Sequence, residues 1–168
     1  LALFSQGNKY DKTIAIFSLT FGHMQLVEYL MWIDQDCGKI NHFATVFGHI
    51  FLMLQPLSLV VAGYLYNSLN IPKNYLILLI ILSIIPLLYV IFINMKNKTQ
   101  LCSKEEQSGH LEWNFVLGNT EKWPLVIKLL YILILILPWI FLKDMKKGGL
   151  MFLILVSTYA YSKFNFKQ

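Results

Sequence analysis

Long apolar runs separated by short polar segments dominate the pattern of this chain. A helix needs about 20 apolar residues to cross roughly 30 Å of hydrocarbon, because each residue adds about 1.5 Å along its axis. The runs approach or exceed that length, so the pattern predicts an all-α, polytopic transmembrane helical bundle that forms one domain over residues 1–168. The predicted spans cover about residues 13–33, 40–66, 75–95, 124–142 and 148–161.

The polar segments between the spans predict how the helices are connected. Three of them are short, at residues 34–39, 67–74 and 143–147, and short connections make consecutive helices antiparallel. Residues 96–123 form a long polar loop, the place where a feature outside the membrane is expected.

Prolines fall inside three predicted spans, at Pro56, Pro86 and Pro138. In a membrane bundle, neighbouring helices and serine side chains can satisfy the carbonyls that a proline leaves free. We therefore predict helices that are kinked at these prolines and continue beyond them.

Composition supports the membrane assignment and narrows the partners. The chain is 57% hydrophobic and 14% charged, against about 45–50% and 25% in soluble domains. Its net charge of +5 comes from lysines spread through the loops, with no arginine. This arrangement suits lipid headgroups rather than nucleic acid. The expected partners are the bilayer and a homo-oligomer or membrane complex, and no cofactor or metal is predicted.

The ends of the chain suggest a longer protein. Residues 1–4 resemble the end of an apolar segment, and the fifth predicted span is short. We expect a further span before the first residue and additional residues after the last.

The two cysteines bear on orientation. Alternation of the spans places Cys37 and Cys102 in loops on the same side, where they either pair as a disulfide, if that side is oxidising, or remain free thiols. The glycosylation sequon at Asn97 lies on that side too. Lysine counts do not choose an orientation, but these features favour a cytoplasmic location for residues 1–12.

Polar groups at membrane depth are concentrated in the first two spans. The short connection between these spans sets His49 opposite Gln25 and near His23, with Glu28 about one turn closer to the loop. Ionisable groups are costly within the membrane and therefore need a reason. We predict an intramembrane polar cluster of Gln25, Glu28 and His49, with His23 at its edge.

The tripeptide Phe-Gly-His occurs once in each of these spans, and its glycines, Gly22 and Gly48, predict a close approach of the two helices. The cluster either holds the helices together or relays protons or ions through Glu28 and His49. A zinc site is disfavoured, because the spacing of the histidines and Glu28 matches no known signature.

Other polar residues form a secondary set of candidates. His42 and Gln55 lie in the second span, and His110, Glu112 and Trp113 lie in the long loop. The loop residues either cap the bundle or bind at the surface, or they are solvated with the tryptophan in the membrane interface.

Several of these residues together resemble an uncharacterised family of small multi-pass membrane proteins encoded mainly by giant DNA viruses of algae and protists. The resemblance covers Gly22 to Trp113 and rests on Gln25, Glu28, Trp32, residues 34–38, Gln55-Pro56 and residues 110–113. It implies one functional or structural unit containing these residues, and a host endomembrane or a viral inner membrane as the location. The family has no established activity and so implies no mechanism.

Three functions remain open at this point. The first is a proton-conducting, ion-conducting or small-solute transport protein that uses the polar cluster. The second is a non-catalytic membrane scaffold or accessory subunit. The third is an intramembrane lipid-modifying enzyme, which is disfavoured because the chain has no Gly-x-Ser-x-Gly motif and no aspartate deep in a span.

Overall fold

The computed structural model describes residues 8–96, 100–105, 111–113 and 124–165, with side chains up to residue 157. Five helices form the described structure, which confirms the all-α prediction, and two short antiparallel strands lie within the long loop. The elements are α1 (Lys9–Ile33), α2 (Lys39–Leu65), α3 (Lys73–Lys96), β1 (Lys104–Glu105), β2 (Leu111–Glu112), α4 (Leu125–Ile140) and α5 (Met145–Asn165).

Three of the helices, α1, α2 and α3, are long and apolar enough to cross a membrane. The fourth, α4, is apolar but has 16 residues, so it is about 24 Å long at roughly 1.5 Å per residue. That is shorter than the roughly 30 Å of a typical hydrocarbon core. The prediction of five spans therefore remains a prediction, whereas α1 to α3 support a membrane protein.

The central helix is α2, which contacts α1, α3 and α4. Half of the residues in its apolar stretch are buried, against 22% in the apolar stretches of both α1 and α3. Met53 and Leu59 of α2 are fully buried and belong to separate apolar clusters, which pack against α3 and α1. The core of the bundle therefore surrounds α2.

All three predicted helix-internal prolines lie inside helices, as expected. Ser58 donates a hydrogen bond of 2.8 Å to the Gln55 carbonyl, one residue before Pro56. Ser83 makes the equivalent bond to the Ile80 carbonyl in α3, also at 2.8 Å. The carbonyls that Pro56 and Pro86 leave free belong to Leu52 and Leu82, four residues earlier, so these serine bonds do not satisfy them.

One end of the bundle, which we call the base, holds the start of α1 and the connections α2–α3 and α4–α5. These two connections are joined by backbone hydrogen bonds, from Asn70 N to Phe141 O at 2.7 Å and from Lys143 N to Ser68 O at 2.9 Å. At the start of α1, Asn8 caps the helix and Asp11 forms an ion pair with Lys147 of α5.

The turn after α2 depends on two residues with special backbone requirements. Asn67 has a φ of 49°, a left-handed conformation that asparagine tolerates better than most residues. A Cβ at Gly63 would overlap the side chain of Leu69, which is 1% exposed. Glycine at position 63 therefore lets Leu69 fold back onto α2.

Candidate functional site

The opposite end of the bundle begins at the corner between α1 and α2. The Asp34 carboxylate accepts hydrogen bonds from the backbone N–H groups of Gly38, at 3.0 Å, and Asn41, at 2.9 Å. These donors lie at the first turn of α2, where backbone N–H groups lack helical partners and where a negative charge is favoured. A Cβ at Gly38 would lie 2.6 Å from Asp34 Oδ1. Glycine at this position therefore allows the carboxylate to approach.

A disulfide ties the long loop to this corner. Cys37 and Cys102 are bonded, with their Cα atoms 5.2 Å apart. Of the two alternatives that the sequence left open, the structure thus has the disulfide. Cys37 has a φ of 61°, in the left-handed region that is unfavourable for a side chain with a Cβ. We call residues 100–105 and 111–113, which lie over this end of the bundle, the cap.

Asn41 connects the cap to the bundle interior. Its Nδ2 donates to the Ser103 carbonyl at 2.8 Å and to the Met31 carbonyl at 3.2 Å. Its Oδ1 accepts from the Ser103 N–H at 2.8 Å. Thr45, one turn further along α2, shares a hydroxyl–hydroxyl bond of 2.9 Å with Ser103. Asn41, Thr45 and Ser103 are all fully buried, so the cap backbone is paired inside the protein.

Two further side chains hold the cap at the edge of this network. His42 Nδ1 accepts a hydrogen bond of 2.9 Å from the Leu101 N–H. Because a backbone N–H can only donate, this bond requires the tautomer of His42 in which Nδ1 has no proton. Gln35 Oε1 accepts from the Glu105 N–H at 2.8 Å, and Gln100 donates to the Cys37 carbonyl.

Trp113 extends the cap into the groove between α1 and α2. A Cβ at Gly48 would lie 2.7 Å from Trp113 Cζ3, 3.1 Å from a methyl group of Val27 and 3.2 Å from the Met31 methyl group. Trp113 and Leu111 pack against the buried cluster of Val27, Met31 and Ala44. Of the three alternatives for this stretch, the position of Trp113 corresponds to a cap on the bundle.

The members of the predicted intramembrane cluster lie in different environments. His49 is fully buried, and its Nδ1 lies 3.4 Å from Asn94 Nδ2 of α3. Gln25 is exposed and Glu28 is half-buried. Among the hydrogen bonds and ion pairs within the described ranges, none joins either residue to His49. His23 bonds within its own helix, to the Leu19 carbonyl at 2.7 Å, and its ring stacks on Phe51 at 5.2 Å.

The angular position of each residue on α1 explains this dispersal. The buried face of α1 consists of Thr13, Phe17, Met24, Val27 and Met31. Gln25 and Glu28 each come directly after a residue of this buried face, so each side chain is turned about 100° away from that residue around the helix axis. The predicted close approach at Gly22 is wrong, because a Cβ there would meet no heavy atom within 4 Å. At Gly48 the predicted approach is confirmed, because a Cβ there would lie 3.1 Å from Val27 and 3.2 Å from Met31 of α1, with Trp113 beside them.

The secondary candidates have separate environments. Gln55 is 5% exposed in α2, near a 3.1 Å hydroxyl–hydroxyl contact between Ser58 and Thr20. Glu112 is exposed in β2, and His110 lies outside the described residues. Within the described part of the chain, no three His, Cys, Asp or Glu side chains come together as a possible metal site.

Sequence reasoning missed Asn41, Thr45, Ser103 and Asn94. A signal for two of them was present, because Asn41, Thr45 and His49 are spaced four residues apart and so share one face of α2. No signal pointed to Ser103, which is 62 residues from its partner Asn41.

In comparisons with known proteins, no protein-family model, curated protein or solved structure matches this chain. The resemblance to viral membrane proteins therefore remains a hypothesis, and the function has to be inferred from the geometry of the site.

Proposed function

We propose that this protein is a non-catalytic component of a membrane assembly: a multi-pass helical anchor that holds a disulfide-braced cap at one membrane surface. One observation carries the proposal. The polar side chains at the cap end of α2, Asn41, His42 and Thr45, are hydrogen-bonded to the cap segment itself.

A catalytic or conducting site needs polar groups that face a substrate or a water path. Asn41 and Thr45 instead have 0% exposure, and their side-chain bonds lie within the protein. Gln25 is exposed and Glu28 is half-buried, and within the described residues neither side chain is hydrogen-bonded to His49. This arrangement favours a scaffold over the transport function that the sequence also suggested.

The disulfide supports an orientation for this anchor. Disulfides persist in oxidising compartments and are rare in the reducing cytosol. The cap end of the bundle, which holds Cys37 and Cys102, then faces the lumenal or extracellular side. The base, near Lys143 and Lys147, faces the cytosol. If the resemblance to viral proteins holds, the membrane is a host endomembrane or the viral inner membrane.

A flux assay tests the proposal against transport. The purified full-length protein is placed in proteoliposomes with a pH-sensitive dye and a clamped membrane potential, beside the variants Glu28→Gln and His49→Gln. The scaffold function predicts the same proton leak in all samples as in protein-free liposomes. Proton flux in the wild type that either variant abolishes, with its thermal melt unchanged, would overturn the proposal.

A second experiment tests the assembly itself. Membranes that express the full-length protein are extracted in a mild detergent and analysed by native electrophoresis. We expect a discrete species larger than the monomer. A monomer under all extraction conditions would count against a scaffold.

The relay remains the second candidate because of one observation. His49 is fully buried beside Asn94, and an imidazole in that setting can exchange protons if water reaches it. The flux assay with His49→Gln separates this function from the first.

A further inference from the structure

α1 is less apolar than α3, although the two helices are equally exposed. In both α1 and α3, 22% of the apolar stretch is buried, so the two helices present similar amounts of surface to their surroundings. Yet α3 is the most apolar of the three long helices and α1 is the least. The exposed face of α3 carries Ile77, Ile81, Ile85, Leu88 and Phe92, as a lipid-facing surface should.

Five exposed residues form a line along α1, which we call the α1 stripe: Ser18, Gly22, Gln25, Tyr29 and Trp32. Their spacing alternates between four and three residues. Such spacing keeps one face of a helix against a neighbouring helix over several turns. Glu28 lies half-buried beside the stripe.

Gln25 is the residue that lipid would not accommodate. It lies two residues beyond the middle of the predicted span 13–33, about 3 Å along the helix axis. Its side chain makes no hydrogen bond to another residue in the part of the chain that the structure describes. A side-chain amide that faces hydrocarbon without a partner is unfavourable, so this position requires a protein surface over it.

We propose that a second copy of this chain covers the α1 stripe, forming a two-fold symmetric dimer with Gln25 of each copy at its centre. The inference deepens the proposed function and rests on it, since it names the partner of the scaffold within the membrane plane.

Membrane orientation supports a second copy as the occupant. All copies insert the same way round, so a two-fold axis along the membrane normal sets identical residues opposite each other at equal depth. A glutamine amide has both a donor and an acceptor group. Two Gln25 side chains can therefore satisfy each other reciprocally.

Charge and shape agree with self-association. The chain has no lysine from Thr13 to Gly38, so α1 offers no positive charge at depth for an acidic partner. A Cβ at Gly22 would meet no heavy atom within 4 Å, so the backbone is open to close approach by another helix.

Cysteine cross-linking in membranes tests the proposal directly. The two cysteines of this sequence are joined in the disulfide, so an introduced cysteine is the single free thiol among these 168 residues. The full-length variant Ser18→Cys is oxidised in vesicles beside Ile81→Cys, a control at matched depth on the lipid-facing surface of α3. We expect covalent dimers of Ser18→Cys and little cross-linking of Ile81→Cys.

Energy transfer between labelled copies, measured over a range of lipid-to-protein ratios, gives the strength of association. Gln25→Leu should weaken dimerisation about 3- to 30-fold, the range for interhelical hydrogen bonds in membranes. Gly22→Leu should also weaken it while leaving the monomer folded, since its side chain meets open space. The matched control is Gly149→Leu on α5, where a Cβ also finds no neighbour within 4 Å.

The results separate this inference from the proposed function. Wild type that stays monomeric at every ratio, or dimers that Gln25→Leu and Gly22→Leu leave unchanged, would overturn the dimer. Cross-linking of Ser18→Cys to a different protein but not to itself would overturn the second copy as the occupant. Proton flux through an intact dimer would refute the scaffold function and leave the dimer standing.

Discussion

Replacing Asn41 by leucine removes one buried amide and leaves a side chain of similar size. The native amide makes hydrogen bonds to Ser103 O and N at 2.8 Å each and to Met31 O at 3.2 Å. Leucine can make none of them. The N–H and carbonyl of Ser103, a residue with 0% exposure, then lose their hydrogen bonds to Asn41.

The expected magnitude follows from these bonds. A buried polar group that loses its hydrogen bond costs about 1–3 kcal/mol, and two groups of Ser103 lose the bond to Asn41. Part of this cost is relieved if the cap moves outward and water reaches the freed groups. We therefore expect Asn41→Leu to destabilise the docked cap by about 2–4 kcal/mol. Because the disulfide retains Cys102 beside Cys37, the loss should appear as local opening of the cap rather than as unfolding of the helices.

Hydrogen exchange of the purified protein in lipid nanodiscs measures this opening. If exchange of the Leu101 and Ser103 amides follows opening of the cap, 2–4 kcal/mol corresponds to an increase of about 30- to 1,000-fold in its rate. The matched control is Asn74→Leu, an exposed asparagine in the first turn of α3. This variant should leave the exchange of both amides unchanged.

Unchanged exchange at Leu101 and Ser103 in Asn41→Leu would refute the reasoning, because the cap would then be held without the amide network. An equal increase in Asn74→Leu would also refute it, since the effect would not depend on the contacts of Asn41.

Three further predictions concern the same end of the molecule. Gly48→Leu should destabilise the folded protein by about 1–3 kcal/mol through overpacking against Trp113, as thermal melting in detergent measures. The control Gly149→Leu should melt like the wild type, because a Cβ at that position meets no heavy atom within 4 Å. Changing both Cys37 and Cys102 to serine should lower the free energy of unfolding by up to about 4 kcal/mol, which is the chain-entropy limit for a 65-residue separation. An equal denaturation midpoint with and without the disulfide would contradict this prediction. Trp113→Ala should increase exchange of the Leu101 amide less than Asn41→Leu does, because Trp113 is only half-buried.

The apolar pattern predicted the helices closely. The second predicted span, about residues 40–66, corresponds to α2 at Lys39–Leu65, and the third, about 75–95, to α3 at Lys73–Lys96. Apolar runs report the part of a helix that needs lipid or a core. They do not report polar turns at its ends, which is why α5 begins at Met145, before the apolar run that predicted it.

The candidate site was harder to predict, because depth alone does not determine which side chains meet. Matching Gln25 with His49 assumed that the two residues face each other across α1 and α2. The face of α1 that packs is instead set by large apolar side chains such as Met24 and Met31, and Gln25 lies away from them. The contact between Asn41 and Ser103 depends on a loop without periodicity, so no pattern in the sequence encodes it.

Polar residues on the inner face of α2 and on the outer face of α1 therefore affect the protein in different ways. On α2 they face inward and hydrogen-bond backbone groups of the cap that would otherwise need water. They therefore stabilise a single copy of the chain. On α1, Gln25 faces outward, where the described part of the chain offers it no partner. Membrane insertion favours apolar residues on a lipid-facing helix. In the proposed dimer, Gln25 makes a contact that one copy of this chain cannot make, so the α1 stripe serves assembly whereas the buried network on α2 serves folding.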